Sequence, residues 1–389
     1  MNPSTRRQLL QSGSALLAAA ALPAGLVRAQ AGGPASGKPA TSVPITPVSL
    51  ASGLEHPWSL AFLPDGQMLV TERPGRLRRV TPDGRVSAPV GGVPAVAARG
   101  QGGLLDVVPG PDFASDRSLF LSFAQLGEGG ARTAVARATL STDGTALRDL
   151  HLIFAQKDGS SGGNHFGSRL VFARDGTLFV TLGDRGSESK RAQTLDNHFG
   201  KIVRIGADGS IPADNPFTGL AGALPEIHSI GHRNVQGAAL HPATGVLWTH
   251  EHGPQGGDEV NIEKAGANYG WPVITFGRQY VTGLKIGEGT ERGDVTPPVL
   301  QWTPSIAPSG MAFLTSDRYP GWRGSLFVGS LKFRMLVRLA LDGDRVTGEQ
   351  RLLEDFGERI RDVRQGPDGL LYLLTDARDG RLVRLDPRA

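Results

Sequence analysis

A polar turn followed by a short segment of alternating apolar and polar residues recurs six times along the chain. Three copies carry an aspartate-glycine pair in the turn, and the other three are looser. The copies are residues 64–72, 116–121, 174–180, 244–249, 323–328 and 367–373. Several continue into a second alternating segment and another polar turn, as in residues 75–84. Alternation with period two between turn residues predicts antiparallel β-hairpins.

The spacing of these copies, about 45 to 80 residues, is typical of four-stranded propeller blades with loops of variable length. Helical periodicity is hard to find beyond the N-terminal segment. The pattern therefore predicts an all-β chain, a six-bladed β-propeller of four-stranded antiparallel blades, in one domain over residues 46–389. We expect the last blade to combine residues 382–385 with an N-terminal strand near residues 48–50. A pair of β-sandwiches is the alternative fold.

The N-terminal segment has the pattern of an export signal. Arg6 and Arg7 precede an apolar, alanine-rich stretch over residues 15–27, and small residues follow it. This order predicts a signal peptide over residues 1–31, of the twin-arginine type, and a periplasmic location. The apolar stretch is short for a membrane span, so no stable span is expected in the mature protein. An ordinary secretory signal and an uncleaved anchor are the alternatives. Residues 32–45, rich in Ala, Gly, Pro and Ser, predict a disordered linker.

The amino-acid composition excludes several kinds of functional site. Among 389 residues there is no cysteine, which excludes disulfides, thiol nucleophiles and thiolate metal sites. The net charge is +4, but after the signal the basic residues are scattered among acidic ones. No basic aromatic platform is visible, so we expect no nucleic-acid partner.

A histidine and an aspartate stand out in one glycine-rich region. His165 lies in a turn, and Asp184 ends a strand-like segment a short distance later. A histidine and a carboxylate at the mouths of neighbouring strands can form a general base and the group that orients it. Taken alone, a histidine in a polar loop is more commonly a turn residue.

Other unusual residues lie in the loops around the expected central channel, where propellers place their function. Arg359 and Arg361 flank Ile360 at strand alternation, so both should point to one side of that strand. The remaining polar candidates lie in separate loops: Gln101, Arg233, Asn234 and Lys332. Each of these residues alone could be an ordinary turn or surface residue. Together they indicate a site for an acidic cofactor with several carboxylates.

The loop over residues 251–259 has the character of a hard-metal site. Its Gly253-Pro254 turn exposes backbone carbonyls, and Glu259 adds a carboxylate. Oxygen ligands of this kind are the ones that calcium prefers. A solvated acidic loop is the alternative interpretation.

The motifs in these loops resemble the glucose/sorbosone dehydrogenase family, in particular its bacterial soluble aldose sugar dehydrogenases, which use pyrroloquinoline quinone (PQQ). The resemblance covers nearly all of the chain after the signal, from about residue 56 to residue 363. Its most specific parts are residues 100–105 (Gly-Gln-Gly-Gly-Leu-Leu), 165–186, 231–234 (Gly-His-Arg-Asn), 268–272 (Asn-Tyr-Gly-Trp-Pro) and 304–310 (Pro-Ser-Ile-Ala-Pro-Ser-Gly). Members of the family are six-bladed propellers, in agreement with the repeat count.

The resemblance implies oxidation of an aldose to a lactone, with His165 accepting the anomeric proton as hydride passes to the quinone. Asp184 would orient His165, while Arg233 and Asn234 would hold developing negative charge. The implied cofactor contacts are Gln101, Arg233, Tyr280, Lys332, Arg359 and Arg361. The carbonyls of Gly253 and Pro254 would hold the calcium ion that activates PQQ. Glu259 and Tyr269 match positions that hold a second, structural calcium ion in relatives.

Two departures concern the substrate. Asn164 stands where the glucose-oxidising subgroup has an aspartate, and the chain is shorter than members of that subgroup. Strict glucose preference is therefore not expected, and a broad aldose range that includes disaccharides is a hypothesis. No haem-attachment motif is present, so a separate electron acceptor is expected, and we expect a monomer or weak homodimer.

Two other functions stay open for a six-bladed propeller. One is a calcium-dependent sugar lactonase, which needs side-chain carboxylates and amides around a central metal. The other is a non-catalytic propeller that binds glycans, which would leave the histidine-aspartate pair and the cations without a role.

Overall fold

The computed structural model describes residues 42–388, and nearly all of their regular structure is β-strand in six antiparallel sheets. Five sheets have four strands and one has three. The predicted signal peptide, residues 1–31, and most of the predicted linker lie outside the described residues. Strand β1 (Ile45–Leu54) begins at the last residue of that linker.

The sheets follow one another along the chain as blades. Blade 1 contains β2 (Pro57–Phe62), β3 (Met68–Glu72) and β4 (Arg76–Val80). Blade 2 contains β5 (Leu104–Pro109), β6 (Ser118–Gly127), β7 (Gly130–Leu140) and β8 (Leu147–Ala155). Blade 3 contains β9 (Leu170–Phe172), β10 (Leu178–Thr181), β11 (Lys201–Ile205) and β12 (Ile227–Ile230).

Blade 4 contains β13 (Val235–Leu240), β14 (Leu247–Glu251), β15 (Asp258–Ile262) and β16 (Leu300–Trp302). Blade 5 contains β17 (Pro308–Phe313), β18 (Leu326–Ser330), β19 (Leu336–Asp342) and β20 (Arg345–Leu352). Blade 6 contains β21 (Ile360–Gln365), β22 (Leu371–Thr375) and β23 (Gly380–Pro387), completed by β1. The described helices are short: α1 (Phe113–Asp116) and a 3-10 helix (Ser189–Gln193). No helix in residues 42–388 has the length and apolar character needed to cross a membrane.

The innermost strands β2, β5, β9, β13, β17 and β21 contact one another in a closed ring, which confirms the predicted six-bladed propeller. Each of the six repeated segments seen in the sequence runs from a turn into the second strand of a blade. The ring closes where β1 pairs with β23, with Val48 opposite Arg384 and Ser49 opposite Val383. This is the pairing expected between the N-terminal and C-terminal strands.

Blade 1 differs from the four-stranded prediction. After β4, one bridge joins Val80 to Val86, and no fourth strand of the described chain follows. Pro89 comes just where a fourth strand would continue, and proline has no backbone N–H to donate to a neighbouring strand. The segment follows β4 irregularly: the Ser87 N–H donates to the Arg79 carbonyl and the Val90 N–H to the Leu77 carbonyl. The next residue, Gly91, donates its N–H to the Thr145 carbonyl beside blade 2.

Apolar side chains fill the spaces between blade faces. Separate clusters of buried residues lie between blades 1 and 2, 2 and 3, 3 and 4, and 4 and 5. The largest cluster joins blades 5, 6 and 1, and includes the fully buried Trp322 and Tyr319. Because both faces of most strands are covered, alternation is weaker in the inner strands than in the outer ones.

The propeller axis carries a buried cluster of charged side chains, which we name the axial ion cluster: Asp106, Arg169, Asp362 and Arg364. Arg169 Nη1 lies 3.4 Å from Asp106 Oδ1 and 3.2 Å from Asp362 Oδ1. Arg364 lies 3.2 Å from Asp106 and 2.9 Å from Asp362. The Arg169–Asp362 contact has ion-pair distance but not the angles of a hydrogen bond. Burial lowers the pKa of Arg169, and the two aspartates oppose that shift.

The axial ion cluster reaches all six blades. Its aspartates and arginines come from blades 2, 3 and 6. From blade 1, Ser59 Oγ donates to Asp106 at 2.5 Å, and from blade 4, the Gln236 carbonyl accepts from Arg169 Nε at 3.1 Å. Blade 5 contributes Gly310, where an added Cβ would lie 2.3 Å from Asp362 Oδ1. Glycine is required there because the aspartate occupies the space of a side chain.

We predict that Arg169→Met destabilises the fold strongly. The substitution leaves two buried carboxylates with one arginine, and removing one partner from a buried ion pair typically costs about 3–5 kcal/mol. The midpoint of urea unfolding measures the effect. Arg345→Met is the control, because Arg345 pairs with Asp342 on an exposed hairpin. Similar small shifts for both variants would show that the axial cluster does not hold the blades together.

Candidate active site

The polar residues singled out in the sequence gather at one end of the propeller. Each inner strand begins at this end and each second strand finishes there, because the strands of a blade are antiparallel. Gln101, His165, Arg233 and Arg359 precede inner strands, whereas Asp184, Gly253 and Lys332 follow second strands. Loops from five blades therefore meet at one edge.

His165 and Asp184 form a hydrogen-bonded pair. His165 Nδ1 lies 2.6 Å from Asp184 Oδ1, so Nδ1 carries the proton that is shared with the carboxylate. The His165 side chain is 12% exposed and that of Asp184 is 1% exposed. His165 Nε2 is then the nitrogen left to accept a proton. This is the arrangement of a general base with its orienting carboxylate.

Three donors hold the Asp184 carboxylate. Besides His165, the Trp271 indole N–H donates to Oδ2 at 2.8 Å and the Gly186 N–H donates to Oδ1 at 2.7 Å. Burial raises the pKa of Asp184, but the hydrogen bond from His165 and the charges of His165 and Arg233 outweigh it, and the net shift is downward. Asp184 is therefore ionised at neutral pH and can stabilise a protonated His165.

The pKa of His165 lies below its ordinary value of 6.5. Burial is the largest cause, and the positive charges of Arg233 and Arg185 act in the same direction. The hydrogen bond and charge of Asp184 oppose them. A lowered pKa keeps the imidazole neutral near pH 7, which is the form that can accept a proton.

A cavity of about 900 Å³ is lined by Phe166 and Gly167, the two residues that follow His165, although His165 itself is not a lining residue. This volume is at the upper end of the range for ligand pockets, which is roughly 300–1,000 Å³. Of the predicted cofactor contacts, the cavity is lined by Gln101, Tyr280, Lys332, Arg359 and Arg361. Arg73 and Arg278 add two further cations to its wall. The cavity suits an anionic ligand.

Asp376 is the one carboxylate among the described residues that line this cavity, and it organises the arginines. It follows β22 and accepts from Arg361 at 2.9 Å and from Arg359 at 3.2 Å, and it lies 3.3 Å from the His56 ring. Burial raises the pKa of Asp376, but the two arginines and His56 lower it further, so the carboxyl group stays ionised. Five cations against one carboxylate leave the wall positive.

Arg233 and Asn234 precede β13 and lie against the predicted metal loop. Arg233 Nη1 donates to the carbonyls of His252 and Gly253, at 3.1 and 2.8 Å, and its guanidinium stands 5.4 Å from the centre of the Trp271 ring. Asn234 is fully buried, and its Nδ2 has no hydrogen-bond partner. An unpaired buried donor is costly, and Asn234 lines neither of the two pockets of this site.

The two carbonyls predicted to bind calcium face different neighbours. The Gly253 carbonyl accepts from Arg233, and the Pro254 carbonyl accepts from the Tyr280 hydroxyl at 3.0 Å. A backbone carbonyl has two lone pairs, so each still has one to offer a metal. No cluster of three or more His, Asp or Glu side chains in residues 42–388 is arranged to hold a metal ion. A calcium ion here would need ligand oxygens from the cofactor as well.

Glu259 and Tyr269 lie at a second, smaller pocket, which Arg233 and Gly253 also line. Burial raises the pKa of Glu259 well above its ordinary value, and the charge of Glu251 adds to the shift. The Tyr269 hydroxyl donates to the Ile262 carbonyl at 2.6 Å and accepts from the Lys264 N–H. Tyr269 could therefore offer a metal its backbone carbonyl rather than its hydroxyl.

Sequence reasoning missed several residues of the site. Asp376 and Arg73 follow second strands, as Asp184 does, so the rule that locates Asp184 could have found both. Trp271 lies in a quoted motif, but its contact with Asp184 spans 87 positions and leaves no local signal. His252 lines both pockets, and its Nε2 donates to the Pro308 carbonyl at 2.6 Å.

The fold and the site together define the class of this protein as a β-propeller with a histidine-carboxylate pair and a cation-lined cavity at one end. Within that class, the chain belongs to the Glucose / Sorbosone dehydrogenase family, whose model matches residues 54–384.

Individual relatives agree with this assignment. The chain is 49% identical over 345 residues to Aldose sugar dehydrogenase YliI of Escherichia coli (strain K12), covering 87% of this chain and 92% of that protein. The crystal structure of the soluble aldose sugar dehydrogenase from Escherichia coli, in the apo form, is 48% identical with a TM-score of 0.87, covering 89% of this chain and all of that one. The PQQ-bound aldose sugar dehydrogenase from Streptomyces coelicolor is 30% identical with a TM-score of 0.75, covering 90% of this chain and all of that one.

We predict that Asp184→Asn lowers the pKa of His165 further. The carboxylate is the group that raises this pKa, so its removal leaves burial and the nearby arginines unopposed. An NMR pH titration of the His165 ring nitrogens measures the change, with the exposed His151 as an internal reference. A pKa that rises in the variant would mean that Asp184 does not stabilise the protonated ring.

Proposed function

We propose that this protein oxidises aldose sugars at the anomeric carbon to lactones in the periplasm, using calcium-bound PQQ. The observation that carries the proposal is the 2.6 Å His165–Asp184 pair beside a cavity walled by cations. Its relatives include an aldose sugar dehydrogenase from Escherichia coli and a PQQ-bound one from Streptomyces coelicolor. The cationic wall favours this function over a lactonase, which would need carboxylates around a central metal.

His165 would act as the general base. Its Nε2 accepts the proton of the anomeric hydroxyl, and the ionised Asp184 stabilises the imidazolium that forms. Positioned general bases contribute roughly 10²–10⁴-fold to rate. The cyclic hemiacetal loses this proton from its hydroxyl oxygen and a hydride from the anomeric carbon. This two-electron oxidation converts it to a lactone.

The residues around the cavity fit an anionic quinone. When bound, PQQ supplies the two-electron acceptor, and calcium supplies Lewis-acid polarisation. Lys332, Arg359 and Arg361 would bind its carboxylates, with the arginines able to do so through two hydrogen bonds each. Arg73 adds a further cation to this wall. Burial and the charges of Arg361 and Arg359 lower its pKa, and the charge of Asp376 opposes them.

The other site residues would orient the base and the bound ligands rather than neutralise the charge of the cofactor. Gln101 Oε1 accepts from the His165 backbone N–H at 2.8 Å, so Gln101 links the cavity wall to the base. The unpaired Asn234 Nδ2 would donate to a ligand oxygen, together with Arg233, where negative charge develops. Tyr280 stands 59% exposed at the cavity and would contact the cofactor.

Two calcium sites are proposed. The carbonyls of Gly253 and Pro254 would hold the ion that contacts PQQ. Glu259, with the backbone carbonyl of Tyr269, would hold a structural ion, which would offset the cost of burying the Glu259 carboxylate beside Glu251.

The cellular setting follows from the sequence. The Arg6-Arg7 signal supports export, and the absence of a haem-attachment motif supports a separate electron acceptor. Asn164 is exposed beside His165 and gives the sugar site an amide in place of a carboxylate. A broad aldose range, with a monomeric or weakly dimeric enzyme, is the expectation.

Reconstitution tests the function. Apo-protein incubated with calcium and PQQ should reduce a redox dye when an aldose is added, and omission of PQQ, calcium or sugar should abolish the reaction. A panel of hexoses, pentoses and disaccharides tests the substrate range, and strict glucose specificity would contradict the expected broad aldose range. No dye reduction with any aldose would overturn the dehydrogenase assignment, and lactone hydrolysis without PQQ would support the lactonase.

His165→Ala should separate catalysis from binding. We expect turnover to fall by about 10²–10⁴-fold, because the base is lost. PQQ affinity, measured by titration of the quinone absorbance, should change little, because the cationic wall is intact. Loss of PQQ binding with the turnover would mean that His165 holds the cofactor instead.

Calcium alone should stabilise the apo-protein through Glu259. A ligand present at about 100 times its Kd raises the free energy of unfolding by about 2.7 kcal/mol. The thermal midpoint of Glu259→Gln should rise less with calcium than that of the wild type. Glu354→Gln, on an exposed turn, is the matched control. An equal rise in all three proteins would exclude Glu259 as a ligand.

A further inference from the structure

One arginine binds most of the backbone carbonyls of the loop that carries His165. Arg185 Nη2 donates to the Gly162 carbonyl at 2.6 Å, and Nη1 donates to the Asn164 carbonyl. The Arg185 backbone N–H faces the His165 carbonyl at 3.3 Å. Three of the five consecutive carbonyls from Gly162 to Phe166 are therefore satisfied by Arg185.

The other two carbonyls of this loop are bound by neighbouring loops. The Gly163 carbonyl accepts from the Gln101 N–H at 2.7 Å, and the Phe166 carbonyl accepts from Thr133 Oγ1 at 2.7 Å. Packing between the backbones is also close. A Cβ added at Gly183 would lie 2.2 Å from the His165 carbonyl oxygen. These hydrogen bonds and close contacts restrain the backbone conformation of the loop.

Arg185 is buried in an unusual way. It is 1% exposed, and within residues 42–388 no carboxylate lies at ion-pair distance from its guanidinium. The guanidinium carbon stands 3.3 Å from the centre of the Phe166 ring. Burial lowers the pKa of Arg185 to about 10, so it remains charged at neutral pH. A buried cation with no carboxylate at ion-pair distance is costly. The charge of Asp184 offsets part of this cost, and the contacts with the Phe166 ring and the His165 loop offset more.

The backbone that this arginine holds is strained. His165 has φ of 54° and Arg185 has φ of 56°, both in the left-handed region that residues other than glycine seldom adopt. Each such residue costs roughly 1–3 kcal/mol, and the conformation persists only where its surroundings enforce it. Arg185 binds the carbonyls of Asn164 and His165, which flank the His165 Cα, and these two contacts supply that enforcement.

We propose that Arg185 is a positioning residue that clamps the His165 loop, so that Nδ1 meets Asp184 and Nε2 faces the substrate. Asp184 and Arg185 are adjacent, so one short segment orients both the ring and the backbone of the base. The effect of this clamp on turnover rests on the proposed function, but its effect on the orientation of the His165 ring does not.

The test compares Arg185→Met, Arg185→Lys and Arg117→Met. Arg117 is the matched control, because its guanidinium also donates to two carbonyls, those of Leu140 and Ser141, and lies near Phe113. Its φ is 53°. It precedes β6, whose ten residues separate it from the site end by about 30 Å.

The first readout is the downfield proton NMR signal of the His165 Nδ1–H in apo-protein, assigned by its loss in His165→Ala. We expect this signal in the wild type and in Arg117→Met, and its loss or shift in Arg185→Met. Arg185→Lys should recover part of it, since lysine keeps the charge and donors but not the planar fork. The charged and titratable groups facing this ring are Asp184, Arg185, Arg233 and His252.

The second readout is kinetic. In reconstituted enzyme, Arg185→Met should lower kcat by about 10²-fold, as expected for a misplaced catalytic group. KM for the sugar and PQQ affinity should change by less than about threefold. Arg117→Met should keep wild-type kcat. If the protein reduces no dye with any sugar, the proposed function fails, whereas the NMR comparison still decides the role of Arg185.

An unchanged Nδ1–H signal in Arg185→Met would overturn the proposal. So would a fall in kcat no larger than that of Arg117→Met at an equal thermal midpoint. If Arg185→Met does not fold, Arg185→Lys decides the question: an altered Nδ1–H signal in that folded variant supports the clamp, and a wild-type signal with wild-type kcat contradicts it.

Discussion

The axial ion cluster is the constraint on which the other features of this propeller depend. Two arginines and two aspartates balance one another on the axis, and contacts to Ser59, Gln236 and Gly310 extend the cluster to every blade. Apolar packing between blade faces is non-directional and does not by itself fix how far one blade slides along the next. Hydrogen-bonded charges are directional, so the cluster sets the height of the inner strands relative to one another. The loops at the strand ends then meet at defined positions.

Much of this arrangement could be predicted from the sequence, because it arises from local patterns. The turn-strand repeat located the second strand of every blade, and the matching N-terminal and C-terminal strands indicated how the ring closes. His165 and Asp184 could be paired because strand polarity places the start of an inner strand beside the end of the second strand. The same rule explains why cations from distant parts of the chain line one cavity. The fourth strand of blade 1 was the exception, since Pro89 removes a donor that the period-two pattern does not reveal.

What could not be predicted are contacts between loops with no sequence period. Trp271 reaches Asp184 from a long insertion in blade 4, and Asp376 gathers arginines through side-chain geometry alone. The carbonyls of Gly253 and Pro254 were identified as a pair, yet in the fold they face Arg233 and Tyr280 respectively. Such details depend on the orientation of each loop on the finished propeller. The clamp formed by Arg185 is of the same kind, because it uses backbone carbonyls that every sequence has.

The pairing of β1 with β23 also constrains the order of events when the protein is made. These strands lie more than 300 residues apart, so closing the ring carries a large loop entropy and waits for the last strand to be synthesised. Until β23 is made, β1 has no partner strand and β22 presents an unpaired edge. Ring closure therefore depends on β23, the strand that joins the N-terminal strand β1 to the rest of blade 6.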